Sequence, residues 1–410
     1  MLVGKYPTMY KTKCAAHGIQ LLFKDIYKDL EWVRSAVDDA KSIQSFMYRH
    51  QIITGLMRDA TNGRELKKPC ATRFASNFIV LQSVLEVENA LRLFVASPIW
   101  RGLEYTKSSE GKRVTCIIQD PDFWTRAKEV IDVLEPLVRI LRLVDGDGST
   151  SGYLYQAMEM AKESIDFKSA LNEGKYGRIK LLLQKRRNEN ILHPIHAAAA
   201  FLNPAYMLSD SFKENWEMKQ GTSYIYDNLV SVAEKESFLE QVQLYRMSYA
   251  PLFSSSAKAM LKTYHPRIWW DVCGDVLPVL QKYAIHILSQ PCSSSSCERN
   301  WSAFEAAQTK KRNRLTPQML GTLVYVRMNS MMIEKFQSNE VADMKPIDLT
   351  SLKDWPDYGE EVEPICSGAL TMEEASIIDS MEGPDNLDSI CLTIDDGDGD
   401  EDDEFNLDAI

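Results

Sequence analysis

The sequence predicts a mostly α-helical protein with a small α/β part, and three observations lead to this prediction. Apolar residues recur every three or four positions through roughly the first 340 residues, which is the period of a helix. Strand-like alternation is scarce, and the two best strand candidates are residues 6–10 and 113–118. From about residue 343 onward the periodicity fades, and Asp, Glu, Gly, Ser and Pro predict a disordered acidic tail.

The first half of the chain contains the clearest helical patterns. A stripe of Val, Leu and Phe at spacings of three and four predicts a helix across residues 80–94. In the next helix, Asp120 can cap the start and Pro121 suits the first turn. Pro136 lies inside the apolar stripe of that helix, so we expect a kink or a break there. The turn-forming residues 145–152 end this segment, and a third helix is predicted after them.

The second half of the chain continues the helical pattern. The Ala-rich residues 193–206 predict a tightly packed helix or a pair of turns. Trp269 and Trp270 precede a predicted helix that ends before a serine cluster. Two further helices are predicted to start near Cys297 and near Thr316.

The charge of the chain is divided unevenly along its length. The formal net charge of the 410 residues is −11, but residues 341–410 contain 22 Asp and Glu against two Lys. That segment therefore carries −20, and the rest of the chain carries +9. A basic body favours a polyanionic partner such as nucleic acid. The alternative is an ordinary solvated surface with a solubilising tail, and charge alone does not choose between the two.

Composition and motifs exclude several classes of protein. Hydrophobic residues make up 45% and charged residues 26%, which is a globular composition. No apolar run approaches the ~18 residues of a membrane span, so no membrane association is expected. The eight Cys form no Cys-x-x-Cys pair, which predicts free thiols in a reducing compartment. There is no Gly-rich phosphate loop, no His-Glu-x-x-His and no Gly-x-Ser-x-Gly.

Two short motifs have both a chemical and a structural interpretation. Cys14 and His17 share a helix face and can supply half of a zinc site, but no second ligand pair has matching spacing. We therefore predict packing there and no metal. Arg73 and Phe74 can contact a phosphate and stack on a base. The structural alternative for that motif is a helix start in which Ser76 caps and Phe74 packs against the first turn.

The third motif joins an acidic residue to a basic run. It reads Ser293-Ser-Ser-Ser-Cys-Glu-Arg-Asn-Trp-Ser-Ala-Phe304 and is followed by Lys310-Lys-Arg-Asn-Arg-Leu315. Ser295-x-x-Glu298 fits a capping box, and the basic run then completes a helix C-terminus or acts as a nuclear import patch. In the chemical interpretation, Glu298 is a carboxylate ligand of a two-metal phosphoryl-transfer site.

Taken together, these motifs resemble those of the hAT superfamily of DNA transposases (hobo/Activator-like), especially its plant branch. The similar stretches are residues 10–17, 72–76, 192–204, 280–290, 292–304 and 311–315. The resemblance implies an RNase-H-like core, here truncated, that is interrupted by a large helical insertion. It divides the chain into residues 1–74 as a remnant of the core, 75–270 as the insertion, 271–335 as the C-terminal core segment and dimerisation region, and 336–410 as the acidic tail.

The resemblance also implies which chemistry the chain retains. Active family members use two aspartates and one glutamate to hold Mg²⁺, and Glu298 matches the glutamate. In the family the aspartates lie upstream of the motif that contains Cys14, and the 13 residues before Cys14 contain no Asp or Glu. Because one carboxylate cannot hold two metal ions, we expect Glu298 to be vestigial and the chain to use no cofactor as it stands.

Two sets of residues are assigned to partners. The expected DNA contacts are Arg73, Phe74, Arg299, Lys310, Lys311, Arg312 and Arg314. The expected dimer contacts are Trp301, Phe304, Leu320, Val324 and Met331, which offer more apolar surface than a short core segment needs. The alternative is that these apolar residues face the core of their own chain.

The sequence thus predicts a transposase-derived nuclear protein that is catalytically inactive and forms a homodimer or higher oligomer, with double-stranded DNA as a second partner. One alternative is a fragment of an active transposase whose two aspartates lie upstream of Met1. Another is a protein–protein interaction module that does not bind DNA.

Overall fold

The structure of the chain is a computed structural model that describes residues 9–69, 75–146, 148–307 and 316–352. Within these ranges the side chains of a few helical residues are not described, namely residues 296, 299, 300, 302, 305, 306 and 334–343. All described residues lie in the first of two compact units, Met1–Pro364. The second unit, Ile365–Ile410, lies outside the described residues.

The regular elements of the described ranges are helices. The first ten α-helices are α1 Ala15–Asp29, α2 Glu31–Arg49, α3 Gln51–Ala60, α4 Ser76–Glu86, α5 Glu88–Ala96, α6 Pro98–Gly102, α7 Ser109–Gln119, α8 Pro121–Val144, α9 Ser151–Leu171 and α10 Glu173–Arg186. A π-helical turn, Arg187–Ile191, leads to α11 Pro194–Leu202, α12 Pro204–Met207, α13 Trp216–Asn228, α14 Lys235–Arg246, α15 Ser255–Met260, α16 Pro266–Cys273, α17 Pro278–Leu288, α18 Ser295–Ala307 and α19 Pro317–Asp343. None of these helices, within the described ranges, has the length and apolar character needed to cross a membrane.

Helix α8 starts as the sequence predicts, and of the kink or break predicted at Pro136, the break does not occur. Asp120 accepts a hydrogen bond from the backbone N–H two residues further on at 2.9 Å, and Pro121 occupies the first turn. The helix then continues through Pro136. Val133 and Leu137 are buried on either side of this proline, and we attribute the continuity to their packing, which offsets the loss of one backbone hydrogen bond.

The strand predicted at residues 113–118 is wrong, because these residues lie within α7. Val114 and Ile118 are four positions apart and both buried, which is the spacing of one helix face. The other predicted strand, residues 6–10, lies largely outside the described residues. The small α/β part is therefore not found in the described ranges, where no strand occurs, and the RNase-H-like core stays a prediction.

The structure and the prediction also differ at one helix boundary and in one further helix. The apolar stripe of residues 80–94 is divided between α4 and α5 at Val87, and both helices bury their part of the stripe in the same cluster. Trp269 and Trp270 precede α17 as the sequence predicts, and they lie in a further helix, α16, which starts at Pro266. His265 accepts a hydrogen bond from the Arg267 backbone N–H at 3.2 Å.

Two hydrophobic clusters form the interior of the described residues. The first contains buried side chains of α1 to α10, and in it the ring centroids of Phe23 and Phe78 lie 4.8 Å apart. The second contains buried side chains of α9 and of α11 to α17. The first cluster extends across the predicted boundary between residues 74 and 75, and the division into domains stays a prediction.

A buried arginine connects helices of both clusters. Arg187 of the π-helical turn is 7% exposed, and its Nη2 lies 2.6 Å from carboxylate oxygens of Glu159 in α9 and of Glu217 in α13. Glu217 also accepts a hydrogen bond from the Tyr155 hydroxyl at 2.5 Å. Burial acts to lower the pKa of Arg187, but both carboxylates raise it, and the Arg187 hydrogen bond lowers the pKa of Glu217. Arg187 and Glu217 are therefore both charged.

The Ala-rich segment forms α11 and α12, as the sequence predicts. At its start, Nδ1 of the buried His196 accepts a hydrogen bond from the backbone N–H of His193 at 3.1 Å. Burial and, second to it, the neighbouring His193 lower the pKa of His196 to about 3. The ring is therefore a neutral acceptor that completes the start of α11.

Residues 344–352, which we call the C-terminal strap, return to the body of the described unit. The Ile347 backbone N–H donates to the Tyr153 hydroxyl at 3.1 Å. The strap residues that pack against the first cluster are Ile347, Leu349 and Leu352. The predicted tail from residue 336 onward begins within α19, which continues to Asp343, and its bounds stay a prediction. The prediction of disorder concerns residues outside the described ranges.

The close approach of α13 to α11 gives a first testable prediction. A Cβ atom on Gly221 would lie 2.4 Å from the Pro194 carbonyl oxygen and 2.7 Å from the Ala198 nitrogen. Because both are backbone atoms, we expect Gly221→Ala to lower the free energy of unfolding by about 1–3 kcal/mol in urea denaturation. Gly55→Ala in α3 is the control, since nothing lies within 4 Å of its Cβ position, and it should stabilise by about 0.5–1 kcal/mol. Equal effects of the two changes would contradict this packing.

Candidate functional site

The C-terminal part of the described chain is built around two buried tryptophans. Nε1 of Trp269 donates to the Ala257 carbonyl at 2.8 Å, and Nε1 of Trp270 donates to the Leu202 carbonyl at 2.7 Å. Both indoles are fully buried, so each has an apolar environment and a partner for its single donor. These contacts fix α16 against α11 and α15.

The turn that follows α17 is tied to the first cluster from two directions. The Gln290 carbonyl accepts from the Thr150 and Ser151 backbone N–H groups at 3.2 and 3.1 Å, at the start of α9. The Cys292 carbonyl accepts from the Ala15 backbone N–H at 2.9 Å, at the start of α1. These hydrogen bonds fix the position at which α18 begins.

Glu298 lies in the first turn of α18 and is exposed. Its Oε1 accepts a hydrogen bond from the Ser294 hydroxyl at 2.8 Å, and the Ser294 carbonyl accepts from the Glu298 backbone N–H at 2.9 Å. The serine that pairs with Glu298 is thus one residue earlier than the predicted Ser295, whose hydroxyl donates to Asp145 at 2.9 Å. Ser295 is buried against the first cluster, which explains why its hydroxyl turns away from Glu298.

Cys14 has a role that the sequence analysis missed. It occupies the N-cap position of α1, and its half-buried Sγ accepts from the backbone N–H groups of His17 at 3.5 Å and Ser294 at 3.3 Å. His17 itself is exposed. Among the described residues, no group of three or more His, Cys, Asp and Glu is arranged to hold a metal ion. Cysteine is an uncommon cap, so its residue type gave no signal for this role.

Helices α18 and α19 pack against each other and expose large apolar side chains. Trp301 is 74% exposed, Tyr325 69% and Ile333 74%. The residues that form this surface, which we call the apolar face, are Trp301, Tyr325, Met332 and Ile333. On α19 their spacing of seven and one keeps them on neighbouring positions of one side of the helix.

The five residues predicted to form the dimer contact differ in their exposure to solvent. Trp301 is exposed, whereas Phe304 and Met331 are half-buried, and the ring centroids of Trp301 and Phe304 lie 6.2 Å apart. Leu320 and Val324 are buried within the chain itself, as the alternative interpretation expects. The sequence analysis missed Tyr325, because an apolar stripe does not by itself tell which of its members remain uncovered.

The side chains predicted to contact DNA lie outside the part of the chain that the structure describes. Arg73, Phe74 and the basic run of residues 310–314 lie outside the described ranges, and so does the side chain of Arg299. The structural alternative for the second motif is wrong in one respect. Ser76 is the first residue of α4 and is buried, and the N-cap position belongs to Ala75, whose N–H donates to Gln20 at 2.7 Å.

Comparison with known families identifies the same part of the chain. Residues 236–330 match the hAT family C-terminal dimerisation region, which extends from α14 into α19 and includes Glu298, Trp301 and Tyr325. No curated protein matches the chain. The resemblance to hAT transposases is therefore confirmed, while the plant branch and the truncation stay predictions.

Proposed function

We propose that this chain, part of which matches the hAT family C-terminal dimerisation region, associates with a second copy of itself through the apolar face of α18 and α19. The proposal rests on where the apolar face lies in the sequence. Trp301 and Tyr325 lie inside the segment that matches the hAT dimerisation region, and Met332 and Ile333 follow directly after it. Exposed aromatic residues are enriched at the centres of protein interfaces.

The size of the apolar face fits a reversible dimer. A symmetric interface would bury the four side chains of each copy, eight in all. A surface of four side chains per copy is small compared with the interfaces of obligate dimers, which favours reversible association.

We expect Trp301→Glu to weaken self-association at least tenfold, because a carboxylate replaces the most exposed aromatic of the apolar face. Sedimentation velocity over a concentration series measures the dissociation constant. Trp216→Glu is the matched control, since Trp216 of α13 is 70% exposed and lies outside the matched region. A wild-type chain that stays monomeric at tens of micromolar, or equal weakening by both variants, would contradict the proposed interface.

DNA binding is the second part of the proposal, and the charge distribution supports it. The +9 of residues 1–340 suits contacts with phosphates, and the basic run of residues 310–314 suits a nuclear import patch, so we place the protein in the nucleus. Residues 353–410 contain 20 Asp and Glu against one Lys. Such a segment can compete with DNA for the basic residues at high effective concentration.

We expect a chain that ends at Leu352 to bind non-specific duplex DNA more tightly than the full chain, with the largest difference at low salt. Fluorescence anisotropy over a salt series measures both affinities. This truncation keeps the C-terminal strap, which contacts the first cluster. Changing Lys310, Lys311, Arg312 and Arg314 to Ala in the shortened chain should remove the gain and flatten the salt slope. Equal binding by full and shortened chains would leave the tail only a solubilising or partner-binding role, and the absence of binding by both would favour the interaction module.

The third part of the proposal is that the chain as it stands does not cleave DNA. Support comes from the surroundings of Glu298, whose exposed carboxylate is hydrogen-bonded to Ser294 as part of a helix start. A two-metal site needs several carboxylates that converge on the ions.

With Mg²⁺ or Mn²⁺ we expect neither cleavage nor joining of a labelled DNA duplex, and Glu298→Gln should give the same background as the wild-type chain. The glutamine keeps an acceptor for the Ser294 hydroxyl, so the fold is preserved for the comparison. Metal-dependent nicking that disappears in Glu298→Gln would instead favour an active transposase.

A further inference from the structure

Two cysteines from distant parts of the chain meet where α1 starts beside the turn before α18. The backbone N–H that follows Cys14 donates to the Cys292 carbonyl at 2.9 Å, and Sγ of Cys14 accepts from the Ser294 backbone N–H at 3.3 Å. With standard backbone geometry, the first of these bonds places the two cysteine Cα atoms about 5–7 Å apart, the range that a disulfide spans. Both thiols are free in the structure.

The two thiols differ in access and in surroundings. Cys14 is half-buried, and its sulfur accepts hydrogen bonds from two backbone N–H groups. Cys292 is 3% exposed. Burial and the proximity of Cys14 raise the pKa of the Cys292 thiol to about 12, against a hydrogen bond with Thr150 that lowers it. An oxidant therefore reaches the Cys14 thiol first, and the buried Cys292 thiol is the one available to react with it next.

We propose that Cys14 and Cys292 form a redox-sensitive pair that closes to a disulfide when the chain meets a peroxide. The Cys14 thiolate attacks one peroxide oxygen, the O–O bond breaks, hydroxide leaves, and Cys14 becomes a sulfenic acid. The Cys292 sulfur then attacks the Cys14 sulfur, so that the S–S bond forms, the S–O bond breaks, and the oxygen leaves as water with the Cys292 proton. In sum, two thiols and one hydrogen peroxide give one disulfide and two waters, and a thiol reductant reverses the change.

The disulfide would replace a hydrogen-bonded junction by a covalent one. In the reduced chain, backbone hydrogen bonds hold the turn before α18 to α1 and α9. The oxidised chain would keep this turn attached to α1 even when those bonds open. The effect depends on the junction alone and not on whether the apolar face dimerises, so it stands or falls separately from the proposed function.

Peptide mapping of the full chain tests the proposal. Trypsin leaves Cys292 and Cys297 together on residues 283–299, and Cys14 on residues 14–24. The experiment therefore uses the Cys297→Ser chain, treated with hydrogen peroxide, blocked with N-ethylmaleimide, digested and analysed by mass spectrometry. We expect a linked pair of these two peptides that disappears on reduction. We also expect the thermal unfolding midpoint to rise by several degrees on oxidation.

Variants separate the pair from general oxidation. Cys14→Ser should abolish the linked peptide while preserving the helix start, since Ser is a good cap. Cys116→Ser removes an exposed thiol and should leave the linked peptide unchanged. In Cys292→Ala, dimedone should label Cys14, because its sulfenic acid then has no thiol to resolve it. The proposal is wrong if Cys14 and Cys292 both remain alkylated while Cys116 is oxidised, or if Cys14 links to any other cysteine.

Discussion

The ion pairs of Arg187 are the constraint on which the arrangement of the two clusters depends. A charge that is 7% exposed would be costly alone, and here it is held by Glu159 of α9 and Glu217 of α13. Its two carboxylate partners, which are themselves partly exposed, offset the cost of burying the Arg187 charge. The pairs also need all three helical segments in one relative placement, so they specify geometry as well as contribute energy. The approach of α13 to α11, which Gly221 permits, follows from this placement.

Hydrogen bonds to this arrangement fix the position of the C-terminal helices α18 and α19. The turn after α17 is held by backbone groups of α1 and of the start of α9, and α18 begins three residues after Cys292. On the other side, the Met344 carbonyl accepts from the His265 backbone N–H at 2.8 Å, which anchors the end of α19 beside α16. Both ends of the segment that carries the apolar face are thus attached to the body, while its exposed side chains face outward.

At the same junction, Cys14 has a structural role that its sequence motif does not predict. Cys14 and His17 fit half of a metal site by spacing, yet the structure uses the Cys14 sulfur as a helix cap that also accepts from Ser294. Glu298 likewise fits a metal ligand and is found as part of a helix start. In both cases a polar side chain satisfies backbone N–H or hydroxyl donors that would otherwise lack a partner at a helix terminus. Metal-site motifs and helix N-termini therefore use the same residue types, and a short motif alone does not distinguish the two.

The sequence by itself determined the helical class, most helix starts and the resemblance to hAT transposases, because periodicity, caps and short motifs are local properties. It placed the starts of α8 and α19, and it named Trp301, which is exposed in the structure, among the dimer residues. Only the tertiary structure decided which side chains are covered. Leu320 and Val324 are buried and Tyr325 is exposed, although all three are large apolar residues of one helix. The strap, the Ser294–Glu298 pairing and the meeting of Cys14 with Cys292 join residues that are not neighbours in any local pattern, and a local pattern carries no information about which distant segment packs beside it.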